Sequence, residues 1–375
     1  MKYIDEFRDG AAARGLARQL AVEIQPDREY RLMEFCGGHT HAIYRYGVQD
    51  LLPAGIRMIH GPGCPVCVLP VGRLDMALDL ATRPNVTLCS YGDMLRVPGS
   101  GGQSLLRAKA AGAEIRMIYS AAEALELARR HSEREVVFFA IGFETTTPPT
   151  ALVIQQAAAL DLPNFSVFCN HVLTPPAIVH LLDSPEAREL DAVAIDGFLG
   201  PAHVSVVIGS RPYEAFASGY HKPVVIAGFE PLDVMQSILM LVRQLNEGRA
   251  EVENQYTRAV TRDGNAKAQR LVAEILEPRS VFEWRGLGPV PRSALQIRAP
   301  YARFDAERRF ALEPRTVPDH RACQCGAVLR GAIKPTDCKV FGTACTPETP
   351  LGACMVSAEG ACAAYYSYGR YQEAA

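Results

Sequence analysis

The sequence predicts an α/β fold: two lobes with parallel sheets flanked by helices, followed by a C-terminal helical and cysteine-rich domain. Three observations predict it. Short apolar runs rich in Val, Ile and Phe alternate with helix-like stretches, which is the pattern of βαβ units. Several of these runs are apolar throughout, as strands buried on both faces are. From Trp284 onward the chain turns to Pro and Gly and carries six of its 11 cysteines.

Taken in order, strands are predicted at 31–36, 56–60, 86–90, 115–119, 136–141, 167–170, 192–195 and 224–227, with helices at 72–82, 104–111, 121–131 and 149–160. Residues 231–277 read as mostly helical, with apolar residues at Leu232, Met235, Ile238, Leu239, Val242 and Leu245 and Pro278 as the stop. The predicted division is 1–119 and 120–230 for the two α/β lobes and 231–375 for the last domain.

The chain has 375 residues, 48% hydrophobic and 21% charged, with a formal net charge of -2. That balance gives no basic surface for nucleic acid or for an anionic membrane. The N-terminus mixes both charge signs without an apolar core, and no apolar run is long enough for a bilayer, so a cytoplasmic protein is expected. In the cytosol clustered cysteines bind metal or do redox chemistry rather than form structural disulfides.

Most predicted strands run into Gly, Pro or polar residues, and in open α/β sheets ligands sit beyond those strand ends. In Glu34-Phe35-Cys36-Gly37-Gly38-His39-Thr40-His41, a thiol with two imidazoles suits iron, copper or zinc. The two glycines would let the backbone turn sharply and admit a ligand. The histidines could equally activate the thiol, and the plainer alternative is a buried Cys at a tight turn. In Gly61-Pro62-Gly63-Cys64-Pro65-Val66-Cys67, the Cys-x-x-Cys pair follows a strand and has no second pair nearby for zinc, which favours a dithiol/disulfide couple.

Gly142-Phe143-Glu144-Thr145-Thr146-Thr147-Pro148 places a carboxylate and hydroxyls at a strand-to-helix turn, either to bind a ligand or to cap the helix. Asn170-His171, Asp196 and His203 also lie near strand ends and are ambiguous. In the tail, Cys323 and Cys325 precede Cys338, Cys345, Cys354 and Cys362, with no Cys-x-x-Cys knuckle. Four such cysteines can hold a [4Fe–4S] cluster without regular spacing; zinc is the alternative.

Together FCGGHTHAIYRYG, GPGCPVCV, GFETTTP, CTPETP and MVSAEGACAAYY resemble, in order and over nearly the whole chain, the HypD family of hydrogenase maturation factors. The resemblance implies two α/β domains and a third holding a [4Fe–4S] cluster. It implies a scaffold that works with a small HypC-type chaperone to carry iron bearing cyanide and carbon monoxide, the Fe(CN)2CO unit of nickel–iron hydrogenase. HypE would donate the cyanide, with HypF upstream, and the hydrogenase large subunit precursor would be an indirect partner. By residue match, Cys36 would hold the iron with His39 and His41 close by, and Cys64 and Cys67 would be the redox pair. Glu144, Thr145 and Thr146 would line the partner-facing cleft, and Cys325, Cys338, Cys345 and Cys362 would ligate the cluster. Cys323 is the alternative to Cys325, and Cys354 is left out of the ligand set. The competing readings are a free-standing iron–sulfur thiol–disulfide reductase and a non-catalytic zinc protein.

Overall fold

The computed structural model describes residues 4–183 and 195–369. The strands of its two larger sheets are, in chain order, β1 (Tyr30–Glu34), β2 (Ile56–His60), β3 (Val86–Ser90), β4 (Ile115–Met117), β5 (Glu135–Gly142), β6 (Phe165–His171), β7 (Gly197–Pro201), β8 (Val224–Ala227) and β9 (Val252–Asn254). One sheet has the order β2-β1-β7-β8-β9 and the other β4-β3-β5-β6, and every neighbouring pair is parallel. The α/β fold with parallel sheets is therefore as expected.

The sheets do not follow the linear division at residues 119 and 230. β1 and β2 pair with β7 and β8, so the first sheet is completed only after the chain has built the second. The segment predicted as a strand at 192–195 falls mostly outside the described residues; the strand forms at Gly197–Pro201 instead. The helical reading of 231–277 is corrected in two places. The helix Pro231–Asn246 is followed by β9, and the helix Ala266–Ile275 stops before Pro278. Its stop is a strand, β10 (Leu276–Pro278), paired antiparallel with β13 (Leu295–Ile297). Between them β11 (Val281–Trp284) and β12 (Gly288–Pro291) form a hairpin whose Trp284 Nε1–H donates to Ser293 Oγ at 2.8 Å.

Packing follows from strand composition. β5 is buried along its apolar run because helices cover both of its faces. The helices Gly10–Glu23 and Pro231–Asn246 cover one face of the first sheet through Leu20, Val234 and Ile238 against Leu32 and Val225. The helices Ala121–Arg130, Thr147–Ala159 and Ala266–Ile275 cover one face of the second. The opposite faces, the disulfide turn and the cysteine-rich tail share one core that includes Met33, Ile59, Phe139, Trp284 and Cys345. Among the described residues no helix is long and apolar enough to cross a membrane.

Candidate functional site

The carboxyl ends of the two sheets meet at a cleft of about 530 Å³, lined among others by Cys36, Asp93, Thr145, Thr146, His203 and Glu359. Its position is the one parallel α/β sheets provide for ligands.

Cys36 follows β1 and precedes the helix Gly37–Arg45, so the Gly38 and His39 amides lie close to its sulfur without a cap hydrogen bond to the thiol. Burial and the nearby Glu359 carboxylate push the thiol well above its ordinary value. The expected reason for the double glycine is corrected. Neither residue has a positive φ. A Cβ on Gly37 would overlap Glu359, and one on Gly38 would stand 2.8 Å from the Phe229 ring, so close packing requires both glycines.

The structure separates the two histidines of this motif. His39 is fully buried, its Nε2–H donates to the Ala227 carbonyl at 3.0 Å, and burial lowers its pKa. His41, two residues on, faces another side of the helix and meets the Ala358 carbonyl and Tyr368. Neither lines the cleft. His203 does: its ring stacks on Phe229 at 3.7 Å between centroids, and Phe229 stacks in turn on His39 at 4.8 Å. A strand-end position was the only signal for His203 in the sequence.

Cys64 and Cys67 form a disulfide, with Cα atoms 5.2 Å apart. Both sulfurs belong to buried residues, and it is Pro65 that reaches the cleft wall. The turn packs directly on the Cys36 turn: the Gly37 amide donates to the Gly63 carbonyl at 3.2 Å, and a Cβ on Gly63 would overlap the Cys36 backbone. On its other side the turn Pro65–Val68 packs against Ala353–Met355 of the tail.

The Gly142–Thr146 turn divides its side chains. Gly142 has φ 144°, and a Cβ there would overlap Thr146 Oγ1. Thr146 Oγ1 donates to the Phe143 carbonyl at 3.1 Å, and Thr145 is exposed on the cleft. Glu144 does not line the cleft. Its buried carboxylate accepts the Thr174 amide at 2.8 Å and the Thr174 hydroxyl at 2.9 Å, at the start of the helix Thr174–Asp183. Both residues lie in the turn that follows Gly142, where Glu144 is buried toward Thr174 and Thr145 is exposed toward the cleft.

Burial raises the Glu144 carboxyl from 4.5 to about 7. The folded state then holds this proton more tightly than the unfolded chain. Stability contributed here is greatest below 4.5, falls as pH rises toward 7, and above that the cost is about 3 kcal/mol. Glu144→Gln keeps both bonds to Thr174, because the Thr174 hydroxyl can rotate to accept. Relative to wild type it should gain about 3 kcal/mol between about pH 5 and about pH 8, measured by urea unfolding. A difference independent of pH would show that Glu144 is already ionised when buried.

In the tail, Cys323, Cys325, Cys338, Cys345 and Cys362 line one small cavity whose other walls include Val328, Phe341 and Met355. The backbone supplies donors to sulfur: Cys354 N–H to Cys325 Sγ at 3.3 Å and Leu351 N–H to Cys345 Sγ at 3.4 Å. The neighbouring Cys325 and Cys354 thiols draw Cys362 below its ordinary value. A Cβ on Gly352 would overlap the Cys323 sulfur, so this glycine keeps the cavity wall clear. Cys354 is fully buried, and it is its amide that is directed at the Cys325 sulfur, a role the sequence did not reveal. Among the described residues no group of three His, Cys, Asp or Glu side chains closes around a single ion position. Buried thiols around one volume, with N–H donors aimed at sulfur, are the donor set that a [4Fe–4S] cluster would need.

The family described as "HypD: Hydrogenase formation hypA family" matches residues 11–369. The chain belongs to the HypD family. It is 67% identical over 373 residues to the hydrogenase maturation factor HypD of Cupriavidus necator, covering 100% of this chain and 98% of that one. It is 68% identical over 375 residues to the hydrogenase expression/formation protein HupD of Azotobacter chroococcum, covering 100% and 99%. The HypD of Escherichia coli is 47% identical over 378 residues, covering 100% and 99%. The HypD match spans both sheets and all six tail cysteines, so the cleft and the thiol cavity both lie within it.

Proposed function

We propose that this protein is a hydrogenase maturation factor that carries an iron atom, bearing cyanide and carbon monoxide, on Cys36 in the inter-sheet cleft. One observation supports this reading above the others: the cleft thiol Cys36 stands against a disulfide turn that shares a core with five of the six tail thiols. The membership in HypD, whose relatives are named hydrogenase maturation factors, agrees with it.

Each residue has a defined task in this reading. Cys36 gives up its proton to bind the cationic iron, which outweighs the burial and carboxylate effects that hold the free thiol protonated. The Gly38 and His39 amides donate to the resulting thiolate. Thr145 and His203 present donors to the nitrogen and oxygen ends of the diatomic ligands. The Cys64–Cys67 disulfide takes up two electrons and two protons to give two thiols, and the reverse step returns them. A [4Fe–4S] cluster held by Cys325, Cys338, Cys345 and Cys362 would supply one-electron transfer. The Ala353–Met355 segment joins that cavity to the disulfide turn. The partners are a small HypC-type chaperone seated over the cleft, HypE as cyanide donor with HypF upstream, and, indirectly, the hydrogenase large subunit precursor. A free-standing disulfide reductase is disfavoured because it would leave Cys36 and the cleft around it without a role.

The test is anaerobic co-purification with the small chaperone, followed by infrared spectroscopy. Cyanide and carbonyl stretches are expected on the complex. Their absence from a preparation with full iron and intact fold would overturn the reading.

A further inference from the structure

Glu34 closes β1 two residues before Cys36 and is completely buried. Its carboxylate has donors on both oxygens. Oε2 accepts the Cys36 amide at 2.9 Å; Oε1 accepts His60 Nδ1–H at 2.8 Å and the Thr40 hydroxyl. On the other side of the ring, His60 Nε2 lies 2.7 Å from the Tyr44 hydroxyl. The Tyr44 ring meets Tyr365, three residues after Cys362, edge-on at 5.0 Å. A continuous buried chain therefore runs from the Cys36 amide through Glu34, His60 and Tyr44 to the tail.

Two strand ends meet in this chain. Glu34 and His60 stand opposite each other in the β1–β2 pairing. Beyond Glu34 the backbone enters the Cys36 turn, and beyond His60 it passes through Gly61-Pro62-Gly63 to Cys64. The two exits are tied again by the Gly61 amide, which donates to the Glu34 carbonyl at 2.9 Å. A buried carboxylate–imidazole pair is costly unless every bond is made, and an apolar pair of the same size would often serve stability as well. Stability alone therefore does not account for it.

We infer that Glu34 and His60 are positioning residues that tie the geometry of the Cys36 turn to the redox state of the Cys64–Cys67 pair. The inference rests on the proposal that this pair is a redox couple. When a small dithiol reduces the pair, the S–S bond breaks, two S–H bonds form, and the dithiol loses two electrons and two protons to become a cyclic disulfide. Cys64 is then no longer held to Cys67. Gly63, which lies against the Cys36 backbone, is free to shift with it. Glu34 holds the Cys36 amide with one oxygen and the end of β2 with the other, so the shift is passed to Cys36 rather than absorbed in the loop.

The experiment measures the alkylation rate of Cys36 by iodoacetamide, site by site by mass spectrometry, in the full-length protein before and after reduction with dithiothreitol. A several-fold change in rate between the two states is expected in the wild type. Glu34→Gln and Tyr44→Phe should bring that ratio toward one while the Cys64–Cys67 pair still opens and closes. Tyr44→Phe removes only the outer hydroxyl and is informative even if Glu34→Gln folds poorly. Equal Cys36 rates in both states of the wild type, or wild-type ratios in Tyr44→Phe and in a folded Glu34→Gln, would overturn the inference alone. A disulfide that never opens reversibly in the native protein would overturn the inference and the redox proposal together.

Discussion

Replacing Cys36 with Ala should abolish retention of the iron cargo, with the cyanide and carbonyl bands of the chaperone complex falling to background. The expectation comes from the donor set of the cleft. Cys36 is the one thiol on its lining, and the other candidate donors there are two carboxylates, hydroxyls and His203. Low-spin iron with cyanide and carbonyl ligands is held by soft thiolate far better than by oxygen donors. Losing a residue that merely orients a metal ligand costs roughly 10–100-fold in affinity, and losing the ligand itself costs more. The fold should survive. Cys36 is only half-buried, and its side chain caps no helical amide in the hydrogen-bonded sense. Thermal unfolding should therefore shift by an amount equivalent to about 1 kcal/mol or less, and the tail chromophore should be unchanged. Cys36→Ser keeps the shape but offers a hard oxygen, and should fail in the same way. Bands of wild-type intensity in the Ala variant would move the iron to another donor, with His203 the nearest in the same cleft.

The parts of this site that could be read from sequence are those fixed by local chemistry. β2, β3 and β8 form where their apolar runs lie, and each is followed by the Gly or polar residues that mark a strand end. Cys36, Thr145 and Thr146 do face one cleft, because parallel strands leave their carboxyl ends on one side of a sheet. Other features depend on pairing and packing that no local signal carries. β1 finds β7 across more than 160 residues, since its partner is chosen by sheet order rather than by chain neighbours. β9 is only Val-Glu-Asn and has no apolar pattern of its own; it becomes a strand because β8 offers it an edge. The motif around His39 and His41 suggested two imidazoles beside the thiol, but helical geometry turns them to different faces. Glu34 stood in the Cys36 motif, but its pairing with His60 was not legible because it arises only when β1 and β2 align in register.

Replacing any one of Cys325, Cys338, Cys345 or Cys362 with Ala should remove the brown chromophore and its iron, and should loosen the tail. These four line the thiol cavity from four separate segments, so each contributes a corner that no neighbour can reach. The tail between Arg315 and Gly369 contains only short helical turns, and the sulfurs are the groups that draw those turns together. Where a site assembles from such pieces, ligand binding is part of the folding free energy. The cluster-depleted variants should therefore be cut by protease in the tail while both sheets stay resistant. Two further thiols make the prediction sharper. Cys354 does not line the cavity, and its amide donates to the Cys325 sulfur. Cys354→Ala removes only the thiol and leaves the amide, so it should keep the full cluster. Cys323 lines the cavity beside Cys325 but is only half-buried, and Cys323→Ala should also keep it. Iron and sulfide assays with the visible spectrum read the outcome directly. Full cluster in Cys325→Ala with none in Cys323→Ala would exchange those two ligands, and full cluster in Cys338→Ala or Cys345→Ala would remove the tail from the assignment altogether.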